Sequence, residues 1–215
     1  SSGQAPQPIG DPAMYLSIAL SPDGGHILAE QLVEPFSYIV GYTSFGRDLN
    51  VLNLDGDVVS TIRQIPLYES SERDNRPDAK LPREVAWRPD GRGLSWLART
   101  PTAAEESDDT RDTKQQERVM GVEEPFVVAE AKVLTSTEGR FSDLHFDAAG
   151  DHFFAEITED GERTLFAYDT SVEPAAGQVL VSYDPDNVLE LPGEILTRQD
   201  GNGITTVMMS SNGQS

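Results

Sequence analysis

Ala19-Leu20-Ser21-Pro22-Asp23-Gly24-Gly25-His26-Ile27-Leu28 and Ala86-Trp87-Arg88-Pro89-Asp90-Gly91-Arg92-Gly93-Leu94-Ser95 are two copies of one pattern. In each, a strand ends on an apolar residue, a tight turn follows, and a second apolar strand begins. Asp-Gly suits the turn because glycine takes positive φ without steric cost and the aspartate side chain bonds its own backbone. A looser copy runs from His145-Phe146-Asp147-Ala148-Ala149-Gly150 to Phe154, and a fourth opens at Met209-Ser210-Ser211-Asn212-Gly213. The third copy keeps only the glycine, so a different turn is expected there. Aligned on the residue before glycine (Asp23, Asp90, Ala149, Asn212), the copies are 67, 59 and 63 residues apart. That period is long for a solenoid and fits a propeller blade with loops.

Between the turns lie further strand pairs. Leu49 to Leu54 alternates apolar and polar, Asp55-Gly56 turns, and Val58 to Ile62 returns, which reads as a hairpin. Phe126-Val127-Val128-Ala129 with Ala131-Lys132-Val133-Leu134, and Thr164 to Tyr168 with Gln178 to Val181, are the other expected pairs. No stretch carries helical periodicity. The expected fold is therefore all-β: a β-propeller of about three four-stranded antiparallel blades plus the start of a fourth, an incomplete ring. Residues 1–15 form a lead-in segment, 16–83 the first blade region, 84–141 the second, 142–205 the third, and 206–215 a truncated start of the next. Glu69 to Lys80 and Pro101 to Arg118, the latter bearing an acidic loop over 101–118, read as solvated excursions.

Composition narrows the chemistry. The 37 acidic against 16 basic residues give a formal charge of −21, which repels phosphate backbones and anionic lipid, so neither nucleic acid nor a membrane surface is an expected partner. With no cysteine in the 215 residues, disulfides, thiolate nucleophiles and cysteine zinc sites are excluded. No apolar run spans a bilayer, and Ser1 to Gly10 is polar and small, so neither a transmembrane segment nor a signal peptide is expected in this chain; the compartment stays open.

Candidate sites are few. A serine hydrolase elbow needs Gly-x-Ser-x-Gly between a strand and a helix. Gly41-Tyr42-Thr43-Ser44-Phe45-Gly46 has one residue too many before the serine and reads as a loop. His145 and His152 with Asp143, Asp147 and Asp151 resemble a metal cluster, but strand alternation divides them between faces, so blade surface is expected. Asp184-Pro185-Asp186-Asn187 and Asp55-Gly56-Asp57 lack the spaced ligands of a calcium loop and read as turns. Trp87 and Trp96 are expected in core or inter-blade packing. Arg47, Arg63 and Arg140 have the chemistry to meet an acidic substrate side chain, against a simpler reading as surface or inter-blade ion pairs. No catalytic, cofactor-binding or metal residue is assigned, and no cofactor is expected.

Ile9-Gly10-Asp11-Pro12-Ala13-Met14-Tyr15, Leu20-Ser21-Pro22-Asp23-Gly24 and Glu34-Pro35-Phe36-Ser37-Tyr38-Ile39-Val40 closely resemble the propeller of glutamyl-endopeptidase-like members of the prolyl oligopeptidase family. The likeness continues in order through Phe45-Gly46-Arg47, Ile65-Pro66-Leu67, Trp87-Arg88-Pro89-Asp90, Glu124-Pro125-Phe126 and Thr137-Glu138-Gly139-Arg140-Phe141-Ser142, and Pro-Phe-Ser-Tyr is its most specific step. The resemblance implies a two-part serine peptidase in which a propeller restricts access to a separate α/β-hydrolase domain of the same parent protein, with peptides as substrates. This chain is then expected to be the non-catalytic portion, gating or docking peptides. The alternative is a free-standing protein-binding β-propeller without enzyme activity.

Overall fold

The computed structural model describes residues 8–69, 81–100, 116–189 and 191–209. The fourth turn motif around Asn212, and most of the two polar excursions, lie outside those residues. Among the described residues there is no α-helix. Those residues form fourteen strands and two 3-10 turns.

The strands form three sheets, each built on four strands hydrogen-bonded in chain order. Sheet 1 holds β1 (Tyr15–Leu20), β2 (Ile27–Val33), β3 (Gly46–Leu52) and β4 (Val58–Ile65), and sheet 2 holds β5 (Arg83–Trp87), β6 (Leu94–Thr100), β7 (Gln116–Val122) and β8 (Lys132–Thr137). Sheet 3 is built on β9 (Arg140–Phe146), β10 (His152–Glu159), β11 (Glu162–Asp169) and β12 (Ala176–Tyr183). A hairpin, β13 (Thr197–Gln199) and β14 (Thr205–Val207), joins its inner edge, where Thr206 lies parallel to Phe146. The chain is thus all-β and built as successive four-stranded antiparallel blades in the manner of a β-propeller.

The turn between the first two strands of each sheet is the same in all three. Gly24, Gly91 and Gly150 adopt φ of 70°, 75° and 73°, and each donates its N–H to the carbonyl three residues back, at Ser21, Arg88 and Asp147. The third turn therefore does not differ, although Ala149 replaces the aspartate. Glycine supplies the geometry, and the aspartates only reinforce it: Asp23 Oδ1 accepts from the Gly25 N–H and Asp90 Oδ1 from the Arg92 N–H. Asp23 is accordingly held below the usual carboxylate range, first by the Ser21 hydroxyl and then by that backbone N–H.

One expected hairpin is misplaced. Phe126 to Ala129 is not a strand; β8 pairs instead with β7, which starts at Gln116, inside the stretch expected to be a loop. Phe126 lies in the connection between them, with φ of 61°, and turns its ring inward until only 3% is exposed. An apolar run of four residues cannot by itself distinguish a strand from a plug inserted between two sheets.

The core lies between sheets rather than within one. Leu28, Leu49, Val51 and Ile62 of sheet 1 pack on Trp87, Leu94, Trp96, Val122 and Phe126 of sheet 2, and Ile204 from the terminal hairpin completes the cluster. A second cluster sets Leu97 and Val119 of sheet 2 against Phe141, Phe146, Phe153, Ala155, Ile157 and Tyr168 of sheet 3, with Ala175 from the β11–β12 connection. Phe126 and Ala175 occupy matching connections, each following a Glu-Pro step, and each reaches back to the preceding interface. Ser60 Oγ donates to the Phe126 carbonyl at 2.7 Å, and the Ala175 N–H to that of Leu134 at 2.7 Å. Both tryptophans lie in the first interface, and the Trp87 indole N–H donates to the Ala19 carbonyl at 3.0 Å, tying β5 to β1.

Candidate functional site

Each sheet carries a carboxylate that is nearly buried. On sheet 1 it is Glu30, six residues after the turn glycine Gly24. Arg63 donates to its Oε1 at 2.7 Å, and Arg47 stands 3.9 Å from the same atom. The other nitrogen of the Arg63 fork donates to the Pro82 carbonyl at 2.8 Å, so the pair also holds the segment that leads into sheet 2. Arg47 Nε is buried without a hydrogen-bond partner. On sheet 2 the carboxylate moves to β7: Glu117, 5% exposed at its side chain, accepts from Arg83 at 2.8 Å and from the Phe141 N–H of sheet 3 at 2.9 Å. On sheet 3 it is Glu156, again six residues after the turn glycine, here Gly150. It accepts from the Tyr183 hydroxyl, from Arg163 at 3.3 Å and from Ser142 Oγ at 3.4 Å.

The third station faces a cavity. Asp143, His145, Glu156, Arg163, Leu165 and Tyr183 line it together with Pro192 to Ile195. Burial, and then the bond to Glu156, raise the Tyr183 phenol above its ordinary value; the bond with Tyr183 and the nearby Glu156 charge raise the Arg163 guanidinium. The phenol thus stays protonated and donating, and the guanidinium charged, across the physiological range.

Of the three arginines considered from sequence, Arg47 and Arg63 come together on Glu30, and Arg140 lies apart at the start of β9. The three carboxylates Glu30, Glu117 and Glu156, and the partners Arg83 and Arg163 of the last two, were missed. The available signal was a glutamate at the same offset from two turn glycines, inside strands that otherwise bury their neighbours.

The remaining candidates scatter. Ser44 ends a 3-10 turn over Tyr42–Ser44 and is followed by strand β3, not by the helix that an elbow requires. His145 lies on β9 and lines the sheet 3 cavity, whereas His152 Nδ1 sits 3.3 Å from Asp147 Oδ2. Among the described residues no group of three or more His, Asp or Glu is arranged to hold a metal. Asp55 and Asp57 give their N–H groups to Asn53 Oδ1, and the Asp186 N–H bonds Asp184 Oδ1, so both acidic motifs serve as turns.

Two further features face solvent. A cavity of about 210 Å3 opens between sheets 2 and 3, lined by Arg88, Arg92, Glu124, Lys132 and Glu173 among others. The β2–β3 connection presents Tyr38, fully exposed, and Ile39 at its tip, while Phe36 packs on Phe45 at its base, ring centroids 5.5 Å apart. Ser37 Oγ accepts from the Ile39 N–H at 3.0 Å, so a local side chain holds the tip.

Against known proteins, the chain is 31% identical over 94 residues to a probable chloroplastic glutamyl endopeptidase of Oryza sativa subsp. japonica, a match spanning 44% of this chain and 10% of that protein. A protein of the same description from Arabidopsis thaliana is 24% identical over 204 residues, 91% of this chain and 20% of the relative. The chain thus spans a fifth or less of the curated relatives it matches. No protein-family model matches. Among solved structures, Kuenenia stuttgartiensis hydrazine synthase aligns with 72% of this chain and 39% of that one at 20% identity and a TM-score of 0.39. The Myceliophteria thermophila Cps50 (Swd1) beta-propeller domain aligns with 80% of this chain and 42% of that one at 11% identity and a TM-score of 0.36.

Proposed function

We propose that this chain is the non-catalytic propeller portion of a serine-type peptidase of the prolyl oligopeptidase family, and that it gates or docks peptides for an α/β-hydrolase domain elsewhere in the same parent protein. The supporting observation is the similarity to the Arabidopsis glutamyl endopeptidase, which runs along 91% of the chain. It is joined to blades whose buried residues pack sheet on sheet and whose polar side chains are engaged in turns and inter-sheet ties. Hydrolysis needs a nucleophile activated by a neighbouring base, and on this reading that pair belongs to the other domain.

The test is hydrolysis by the complete gene product and by the 215-residue chain, on an unstructured peptide containing glutamate. The complete product should cleave and lose activity to a serine-directed inhibitor, while the chain alone should be inert. A complete product with no peptidase activity would leave the binding-propeller alternative in its place. Inhibitor-sensitive cleavage by the chain alone would overturn both.

A further inference from the structure

The interface between sheets 1 and 2 carries three rings in contact. Phe126, from the β7–β8 connection, meets His26 of the β1–β2 turn and Trp87 of β5 edge to face, with centroids 5.1 and 5.6 Å apart. Counted from the turn glycines Gly24, Gly91 and Gly150 and from the two Glu-Pro steps, the same positions between sheets 2 and 3 are Ala175, Gly93 and Phe146. Only one of those is a ring. Closer packing does not make good the difference: a cavity of about 210 Å3 lies here, with Val122, Leu134, Phe153, Val172 and Ala175 as its apolar lining. Arg88 lines it as well. Its guanidinium carbon stands 5.6 Å from the centre of the Phe146 ring, and its Nε and Nη2 are held by Asp90, so a buried cation of fixed position covers the ring that corresponds to Trp87.

We propose that this cavity is a binding site for an aromatic ring on a polar stem, the ligand's ring filling the second interface as Phe126 fills the first. Size permits it, since an apolar cavity of about 150 Å3 takes up benzene. The lining favours it. Val122, Leu134 and Phe153 give the ring apolar contact, and the Arg88 guanidinium attracts a ring face in a way that an aliphatic group of the same size cannot match. The exposed Glu124, Lys132 and Glu173 border the same cavity and supply charged partners for the polar stem. Such a ring comes either from a free phenol-like molecule or from a Phe or Tyr side chain of a peptide. The proposal stands whether or not the parent protein is a peptidase.

The probes are p-cresol, which is the tyrosine side chain as a free molecule, and N-acetyl-phenylalaninamide, which carries its ring on a peptide stem. N-acetyl-cyclohexylalaninamide is the non-aromatic control. Titrated into the isotopically labelled protein and followed by NMR, both probes should give saturable shifts of the Lys132, Val172 and Ala175 amides, and the control should bind about threefold or more weakly than its aromatic counterpart. Tighter binding of N-acetyl-phenylalaninamide than of p-cresol identifies a peptide side chain as the source of the ring, and the reverse order a free aromatic molecule. Ala175→Phe supplies a ring from within, as Phe126 does, and should weaken both probes about tenfold or more. Val172→Trp, at a wall position 48% exposed and so tolerant of size, plugs the cavity independently and should do the same. Absence of shifts at millimolar probe, equal binding of the cyclohexyl control, or unchanged binding to a folded plugged variant would each overturn the proposal.

Discussion

Tyr168 shows how a single buried side chain fixes a pH limit. Its ring stacks on Phe153 with centroids 4.6 Å apart and planes 9° from parallel, and burial pushes its phenol up to about 12 from an ordinary 10.0. The folded state thus holds the proton more tightly than the unfolded chain. The associated stability is complete below pH 10 and is lost as pH rises from 10 towards 12. Tyr168→Phe keeps the stack and should flatten that alkaline loss; a variant whose urea midpoint still falls as steeply over this range would show that another group is responsible. Trp87 makes the complementary case, combining apolar area with one directed bond. Trp87→Phe removes the N–H donated to the Ala19 carbonyl, an expected loss of about 0.5–1.5 kcal/mol, whereas Trp87→Ala should cost about 3–5 kcal/mol because a cavity opens as well. Chemical denaturation of the two variants measures both. If Trp87→Phe matched the native protein, the tie between β5 and β1 would carry no net stability.

At the scale of the strand and its connections, the sequence exposes whatever is periodic and hides whatever is inserted. The Asp-Gly turns, the Leu49–Ile62 hairpin and the strand pair around Leu165 and Val179 were legible because alternation and turn chemistry are local. Phe126 was not, because its role depends on a sheet whose strands lie far away in sequence. The glutamate stations were hidden for a related reason: a charged residue in a strand looks solvent-facing until its partner, such as Arg63 on another strand, is known. Gly93 is a position where backbone geometry decides. It sits at φ 111°, and a Cβ there would stand 2.1 Å from the Val122 carbonyl oxygen. Gly93→Ala is therefore expected to cost roughly 1–3 kcal/mol from the backbone strain alone, with the displaced β6–β7 edge adding to it. Gly161, also at positive φ but with open space around it, is the control: Gly161→Asn should shift the thermal midpoint little, since asparagine tolerates the left-handed region. Equal losses at the two sites would mean that the clash with Val122 is relieved without cost.

For the molecule as a whole, charge and connectivity matter most. A formal charge of −21 on 215 residues opposes compaction by self-repulsion. Salt shortens the reach of that repulsion from about 30 Å at 0.01 M to about 3 Å at 1 M ionic strength. The thermal midpoint should therefore rise as sodium chloride is raised across that interval, and a flat response in scanning calorimetry would show that the acidic groups are too well paired or too dispersed to matter. The propeller architecture was readable from the turn repeats, but the hairpin laid along the inner edge of sheet 3 was not, since nothing local in Thr197 to Val207 says which strand it will meet. That hairpin sends Ile204 into the core shared by sheets 1 and 2 while pairing with sheet 3 through Thr206. One short hairpin thus touches all three sheets at once, and the core between the first two is complete only when a side chain from the far end of the described sequence is in place.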